Sequence, residues 1–278
     1  MMTDMRHVIA AILVALACGR ASAQTAPPSD QNPRPFEILD NSYLVEEAFN
    51  QERGVVQNIF GFTRFSGVWA FSFTQEWPVP GETHQLSYTL ALAGGDGGTK
   101  FGDVLINYRY QALRESASRP AFAPRLSVIL PTAQGRVTRS PGVQMNLPFS
   151  KQVRDVYFHW NAGFTAQPSA VPDVPDAPTT NETLVSPLLA GSAIWRMRPM
   201  FHLMFETVYI SEERLQQFGA GRRANLGTVS PGFRTGWNIG EAQIIWGVAA
   251  PIAFGGGDTS KALFLYFSYE SRIWGHKE

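Results

Sequence analysis

Three features of the 278-residue sequence predict an all-β protein: an antiparallel up-and-down β-barrel of the outer-membrane type, behind a short helical or irregular segment. Apolar and polar residues alternate with a period of two from residue 55 onward. Connections between the alternating segments are short and long by turns, and the N-terminus carries an export signature. Alternation marks a strand with one apolar face, because successive side chains point to opposite sides of a sheet.

Composition removes several function classes. Charged residues make up 17% of the chain, against roughly 25% in an average soluble protein. The 23 basic and 23 acidic residues cancel, which excludes the basic surface that a nucleic-acid binder needs to displace counterions. Lysine occurs only at Lys100, Lys151, Lys261 and Lys277, so no polybasic membrane-surface patch exists. A single cysteine, Cys18, excludes an internal disulfide and any multi-cysteine metal site.

From the N-terminus, Arg6 and His7 precede an apolar run over residues 8–17, and Ala21, Ser22 and Ala23 form a small-x-small site. That pattern is a secretory signal, with cleavage expected after Ala23. Lipoprotein processing at Cys18 competes, but Ala15 stands where leucine is usual. Later apolar runs fall short of the roughly 18 residues that a spanning helix needs. The longest, residues 243–254, is broken by Gly247 and Pro251. A soluble periplasmic protein or an outer-membrane barrel remains.

Residues 24–35 are rich in proline and polar groups and read as a leader. In residues 36–53, Asn41 or Ser42 suits an N-cap, so a short helix is expected over residues 43–51. The segment is too apolar for a solvated tail and too short for a domain. Its cheapest burial site is the barrel mouth. There Ile38, Leu44, Val45 and Phe49 would cover apolar lumen positions, while Glu46 and Glu47 approach Arg109, Arg125 or Arg234. Residues 24–54 are therefore expected to be a periplasmic leader and candidate plug, with a disordered linker as the competing reading.

The barrel is expected over residues 55–274. Trp69, Phe71, Phe73 and Trp77 alternate with Ala70, Ser72, Thr74 and Glu76, and Val104, Ile106, Tyr108 and Tyr110 with Asp103, Leu105, Asn107 and Arg109. Segments of this kind fall near residues 55–63, 68–77, 83–92, 101–112, 121–131, 142–150, 155–166, 184–196, 199–211, 223–235, 241–250 and 262–273, about twelve strands. Their alternation is weakest at 55–63, 184–196 and 223–235. Connections at 78–81, 151–154, 196–198 and 236–240 are tight. Those at 93–100, 132–141, 167–182, 212–222 and 251–261 are longer. Short periplasmic turns alternating with long outer loops characterise barrels of the outer membrane. The connections at 64–67 and 113–120 break the rule.

The polar face is too modest to solvate a 30 kDa exterior, and the apolar face is heavy with aromatics. Inverted faces resolve this, with Leu, Val and Phe toward lipid and polar groups inside. Phe101, Gly102 and Asp103, the run 107–110, the strand 126–132 and the residues Gly142, Gln144 and Asn146 resemble the bacterial outer-membrane family "MetA-pathway of phenol degradation". This resemblance implies passage of hydrophobic or aromatic compounds. The chain departs from the family's pattern at Ala133, where glycine is common, and ends without a terminal aromatic.

The inward face is expected to carry Glu76, Asp103, Asn107, Arg109, Arg125, Gln144, Asn146, His159, Asn161, His202, Glu206, Arg234 and Glu270 as a polar pore lining. Alternatively, these groups form a static network filling a narrow barrel. His202 and Glu206 do not share a metal, because strand positions i and i+4 lie roughly 13 Å apart. No serine shares a strand face with His159, so a barrel-type lipid hydrolase lacks a local motif. Glycine clusters at 94–98 and 255–258 feed no helix with a Lys-Ser/Thr pair and read as loop tips. The expected protein is a passive channel or transporter rather than an enzyme, without cofactor or metal. Its expected partners are outer-membrane lipid, the barrel-assembly machinery and small hydrophobic or aromatic solutes, with no nucleic acid. A structural or adhesive barrel with a closed lumen is the alternative.

Overall fold

The computed structural model describes residues 37–38, 42–134, 140–170, 182–215, 221–255 and 258–273. The expected signal peptide, the leader over 24–35 and parts of the long loops lie outside these residues. Sixteen strand segments follow in order: β1 (Val55–Phe65), β2 (Val68–Pro78), β3 (His84–Gly95), β4 (Gly98–Phe101), β5 (Val104–Tyr110), β6 (Ala121–Phe122), β7 (Arg125–Leu130) and β8 (Gly142–Val153). They continue as β9 (Val156–Ala170), β10 (Glu182–Arg198), β11 (Phe201–Leu215), β12 (Gly221–Ile239), β13 (Ala242–Ala249), β14 (Ile252–Gly255), β15 (Asp258–Lys261) and β16 (Leu263–Arg272).

Twelve of these close a ring. β1, β2, β3, β5, β7, β8, β9, β10, β11, β12, β13 and β16 pair in that order, and β16 returns to β1 from Val55↔Arg272 to Arg64↔Leu263. Every pairing is antiparallel, so the fold is an up-and-down barrel without a free edge. The remaining segments are extensions: β4 continues on β3, β6 sits on β8, and the β14–β15 hairpin stands on β12.

Three expected elements come out differently. The predicted strand over 101–112 breaks at Gly102 and Asp103, where a Cβ on Gly102 would lie 3.1 Å from that of Ala91. Residues 251–261, expected as a loose loop, supply the β14–β15 hairpin, and β12 runs 19 residues to support it. The expected helix over 43–51 is absent; residues 42–53 run as irregular, bent chain. Capping propensity lost to the environment, because the amides of this segment bond to side chains of the barrel wall instead of to its own carbonyls.

At the end that holds β1 and β16's termini, the connections 154–155, 199–200 and 240–241 are tight. Gly240 at φ 62° supplies the left-handed backbone that such a hairpin favours. The longer connection over 111–120 tucks Gln111 and Glu115 inward. Its length, which breaks the loop rule, reflects this packing.

The two faces are inverted relative to a water-soluble barrel. Leu126, Trp195 and Phe205 stand about half exposed on the outside, at 51%, 49% and 52%. Thr74, Glu76, His202, Glu206, Arg234 and Ser268 are completely buried inside. A closed hydrogen-bonded ladder has no end from which detergent can peel it. Unheated protein in dodecyl sulfate is therefore expected to migrate as a compact band that shifts on boiling, with β-dominated circular dichroism. A helix-dominated spectrum would contradict the ring.

Candidate functional site: a strap across the lumen

Residues 42–51 cross the interior of the barrel and all of them are buried. An irregular chain inside a protein must find a partner for each amide and carbonyl. Here the wall supplies them, strand by strand. Gln243 Nε2 and Arg234 Nη2 donate to the carbonyls of Glu37 (3.0 Å) and Ile38 (3.2 Å). Arg234 in turn donates through Nε to His202 Nδ1 at 3.2 Å. Ser42 Oγ meets Ser192 Oγ at 2.8 Å.

Next comes the tightest grip. One oxygen of Glu206 accepts the amides of Tyr43, Leu44 and Val45, at 2.9, 2.8 and 3.2 Å. Hydrogen bonds to a charged acceptor contribute about 1.5–3 kcal/mol each. Asn161 then brackets residue 46, accepting its amide and donating to its carbonyl, both at 2.7 Å. Ala48 donates to Ser150 Oγ at 2.8 Å, while Gln111 holds the Ala48 carbonyl (2.8 Å) and the Asn50 amide (3.1 Å). Gln51 donates to Gln85 Oε1 at 2.7 Å, and Gln85 donates to Glu76 at 2.9 Å.

Charges concentrate at Glu46. Its carboxylate lies 3.1 Å from Arg125 Nε and 3.6 Å from Arg109 Nη1, and accepts from Asn146 Nδ2. Burial pushes the Glu46 carboxyl above its ordinary value, opposed by Arg125, Arg109 and the Asn146 hydrogen bond. Arg109 also donates to Asn50 Oδ1 (3.0 Å) and the Glu47 carbonyl (3.3 Å), and pairs with Glu76 at 3.8 Å.

Apolar side chains of the strap cover an apolar sector of the wall. Ile38, Leu44, Val45 and Ala48 join a cluster with Ile59, Ile194, Met204 and Ile245. The Tyr43 ring lies 5.3 Å from Phe264 and 5.0 Å from Tyr266, and its hydroxyl donates to the Phe233 carbonyl at 2.6 Å. Phe49 stacks on Tyr157 at 5.6 Å.

Of the residues singled out from sequence, Glu76, Arg109, Arg125, Asn146, Asn161, Glu206 and Arg234 come together on or directly behind the strap. Gln144 steadies Arg125, accepting from its Nη2 at 2.8 Å, and Asn107 donates to Ser87 at 3.1 Å. Glu270 is half-buried on β16, opposite Gln57 and Gln243. Asp103 sits apart at the outer rim. It accepts the Ala133 amide at 3.0 Å, and neighbouring Thr132 donates to the Gly102 carbonyl and accepts from Val104. The Gly-Asp and Pro-Thr motifs thus clasp a loop to the rim.

His159 gains a partner that no local pattern reveals: the β8–β9 register sets Ser150 opposite it, with Oγ 2.7 Å from Nδ1. This serine already takes the Ala48 amide and is fully buried. No hydrogen-bond partner reaches His159 Nε2 among the described residues. A hydrolytic centre needs an accessible nucleophile and an oriented base, so the pair serves as an anchor for the strap.

Sequence reasoning read Ser42 only as a helix cap and missed Ser150, Ser192, Gln85, Gln111 and Gly247 as strap contacts. Alternation places most of them on the inward face, but only strap contacts distinguish them from other small polar residues. Comparison with known proteins finds no matching family model and no matching curated protein. Solved structures of similar shape include the following two. A NanC porin shares 8% identity at a TM-score of 0.49, covering 77% of this chain and 98% of its own. A CymD monoaromatic hydrocarbon channel shares 10% at 0.40, covering 81% and 90%. The assignment as a closed barrel rests on the strand ladder itself.

Gly247 offers a direct handle on the strap. A Cβ there would lie 1.6 Å from the Tyr43 hydroxyl oxygen and 2.6 Å from the Phe233 carbonyl. Gly247→Ala is therefore expected to expel Tyr43 and make residues 42–53 susceptible to protease in the folded barrel. Gly191→Ala, whose nearest neighbour would be 3.7 Å away, is expected to leave cleavage unchanged. Equal protection of both variants would show that Tyr43 does not seat the strap.

Proposed function

We propose that this protein is an exported outer-membrane channel for small hydrophobic or aromatic solutes, held shut by the strap. The observation that carries the reading is the polar wall beneath it. A permanently filled interior is as stable, or more so, when built from well-packed apolar residues. Glu76, Arg109, Arg125, Asn146, Asn161 and Glu206 instead form a wall that water can solvate once the strap leaves. Aromatic cargo is supported by the resemblance of residues 101–146 to the MetA-pathway family, and by Tyr157, Phe264 and Tyr266 beneath the strap. The apolar exterior suits outer-membrane lipid, and insertion is assigned to the barrel-assembly machinery.

A structural barrel with a permanently closed lumen is the second reading, favoured by how completely the strap is bonded. Locking the strap separates the two. Ser42→Cys with Ser192→Cys replaces hydroxyls 2.8 Å apart, so oxidation should tie the strap to β10. Liposomes carrying wild type are expected to admit small phenols; the oxidised pair should lose this and regain it on reduction. Deleting residues 36–52 should raise single-channel conductance. If the oxidised pair passes solutes like wild type, the strap is no gate. If only the deletion protein conducts, the closed-lumen reading holds.

Orientation has its own test. Cysteines at Asp96 and Thr259, both exposed beyond the ring at the loop end, are expected to react with impermeant thiol reagents on intact cells. One at Val153, beside the tight turn to β9, is expected to stay unlabelled. Reversed labelling would invert the topology.

A further inference from the structure

Arg109 and Arg125 stand directly opposite each other where β5 pairs with β7, and Arg125 stands opposite Asn146 where β7 pairs with β8. Like charges facing each other across a ladder destabilise it, and both guanidinium groups are almost completely buried. The row needs an anion. Glu76 at 3.8 Å supplies part of the balance to Arg109 while also accepting from Gln85. Gln144 offers Arg125 only a neutral carbonyl oxygen. The charge that bridges both arginines is the carboxylate of Glu46, on a segment that belongs to no strand.

We propose that Arg109, Arg125 and Asn146 form a carboxylate-binding site in the lumen, which Glu46 fills as a built-in surrogate while the strap is shut. When the strap moves, a small carboxylate solute takes its place. This rests on the gated-channel reading and names the recognised chemical group. Guanidinium groups suit the task, since they stay charged and present directed donors to a carboxylate. Asn146 adds a neutral donor from the next strand. Once the strap leaves, taking Glu46 and the neighbouring Glu47 with it, the inward charges of β1 to β9 away from the rims are Arg109, Arg125 and Glu76 among the described residues. That sector then carries a net positive charge, as an anion-selective constriction does. The apolar cluster beside it, with Tyr157, would receive the hydrophobic body of an aromatic or branched acid.

Two measurements test this. In the full chain, Glu46→Ala leaves a carboxylate-sized vacancy between the arginines and should lower the temperature at which the unboiled gel band shifts. Acetate and benzoate are expected to restore much of that loss, and acetamide and benzamide none of it. Adding Arg125→Gln should abolish the rescue. If acid and amide act alike, the site takes no free carboxylate and the proposal falls. Should the Ala variant fail to assemble, the deletion of residues 36–52 gives the second reading. In a salt gradient across a planar bilayer, its reversal potential is expected to show several-fold preference for chloride over potassium. Benzoate should reduce the current more than benzamide does, and Arg109→Gln with Arg125→Gln should remove both effects. A deletion protein that conducts without anion preference overturns the carboxylate site, while wild-type flux and the oxidised cysteine pair decide the channel independently. One that does not conduct removes both.

Discussion

Everything inside this barrel follows from the need to satisfy the backbone of ten buried, non-repetitive residues. A strand or helix brings its own partners; an irregular chain does not. Glu206, Asn161, Ser150, Gln111 and Gln85 meet that need with side chains spaced around the ring. Each sits on a different wall element, so the strap is tied to the whole circumference. The polar lumen is therefore the complement of a particular backbone path. Removing one such partner leaves a buried amide unpaired, at about 1–3 kcal/mol.

The outer architecture was legible because it obeys local rules. Trp69 to Trp77 alternates strictly, and β2 exposes and buries accordingly. Twelve ring strands could be counted from such runs, including β10 and β12, whose alternation is weak where Gly191, Gly227 and Gly232 interrupt it. The break at Gly102 was illegible because it keeps the alternation going on both sides. The β14–β15 hairpin hid in a glycine-rich stretch, since its stability comes from the overlong β12 rather than from its own residues.

Within the site, residue type and inward parity were legible, and pairing was not. From sequence alone Glu46 reads as a charge attracted to Arg109 and Arg125, yet their convergence depends on the β5–β7 register. Asp103 has the right parity but the wrong height, and only its contact with Ala133 reveals a rim function. The helix over 43–51 failed for an instructive reason. Ser42 has capping chemistry, but its hydroxyl is committed to Ser192 and the amides it would have capped are held by Glu206. Tertiary partners overrode a weak local preference.

The strap also constrains the order in which the molecule can be made. It precedes β1 in the chain, yet among its partners are Gln85, 34 residues beyond Gln51, Arg234, 196 residues beyond Ile38, and Gln243, 206 residues beyond Glu37. Contacts of such long sequence separation form late, because the loops between them must close first. The first barrel-proximal stretch to be synthesised is thus the last to settle. Until β12 and β13 are in place, Tyr43 has neither the Phe233 carbonyl nor the Gly247 hollow to receive it. A ring caught before that step is hollow and wet, and the cell would meet it as a leak.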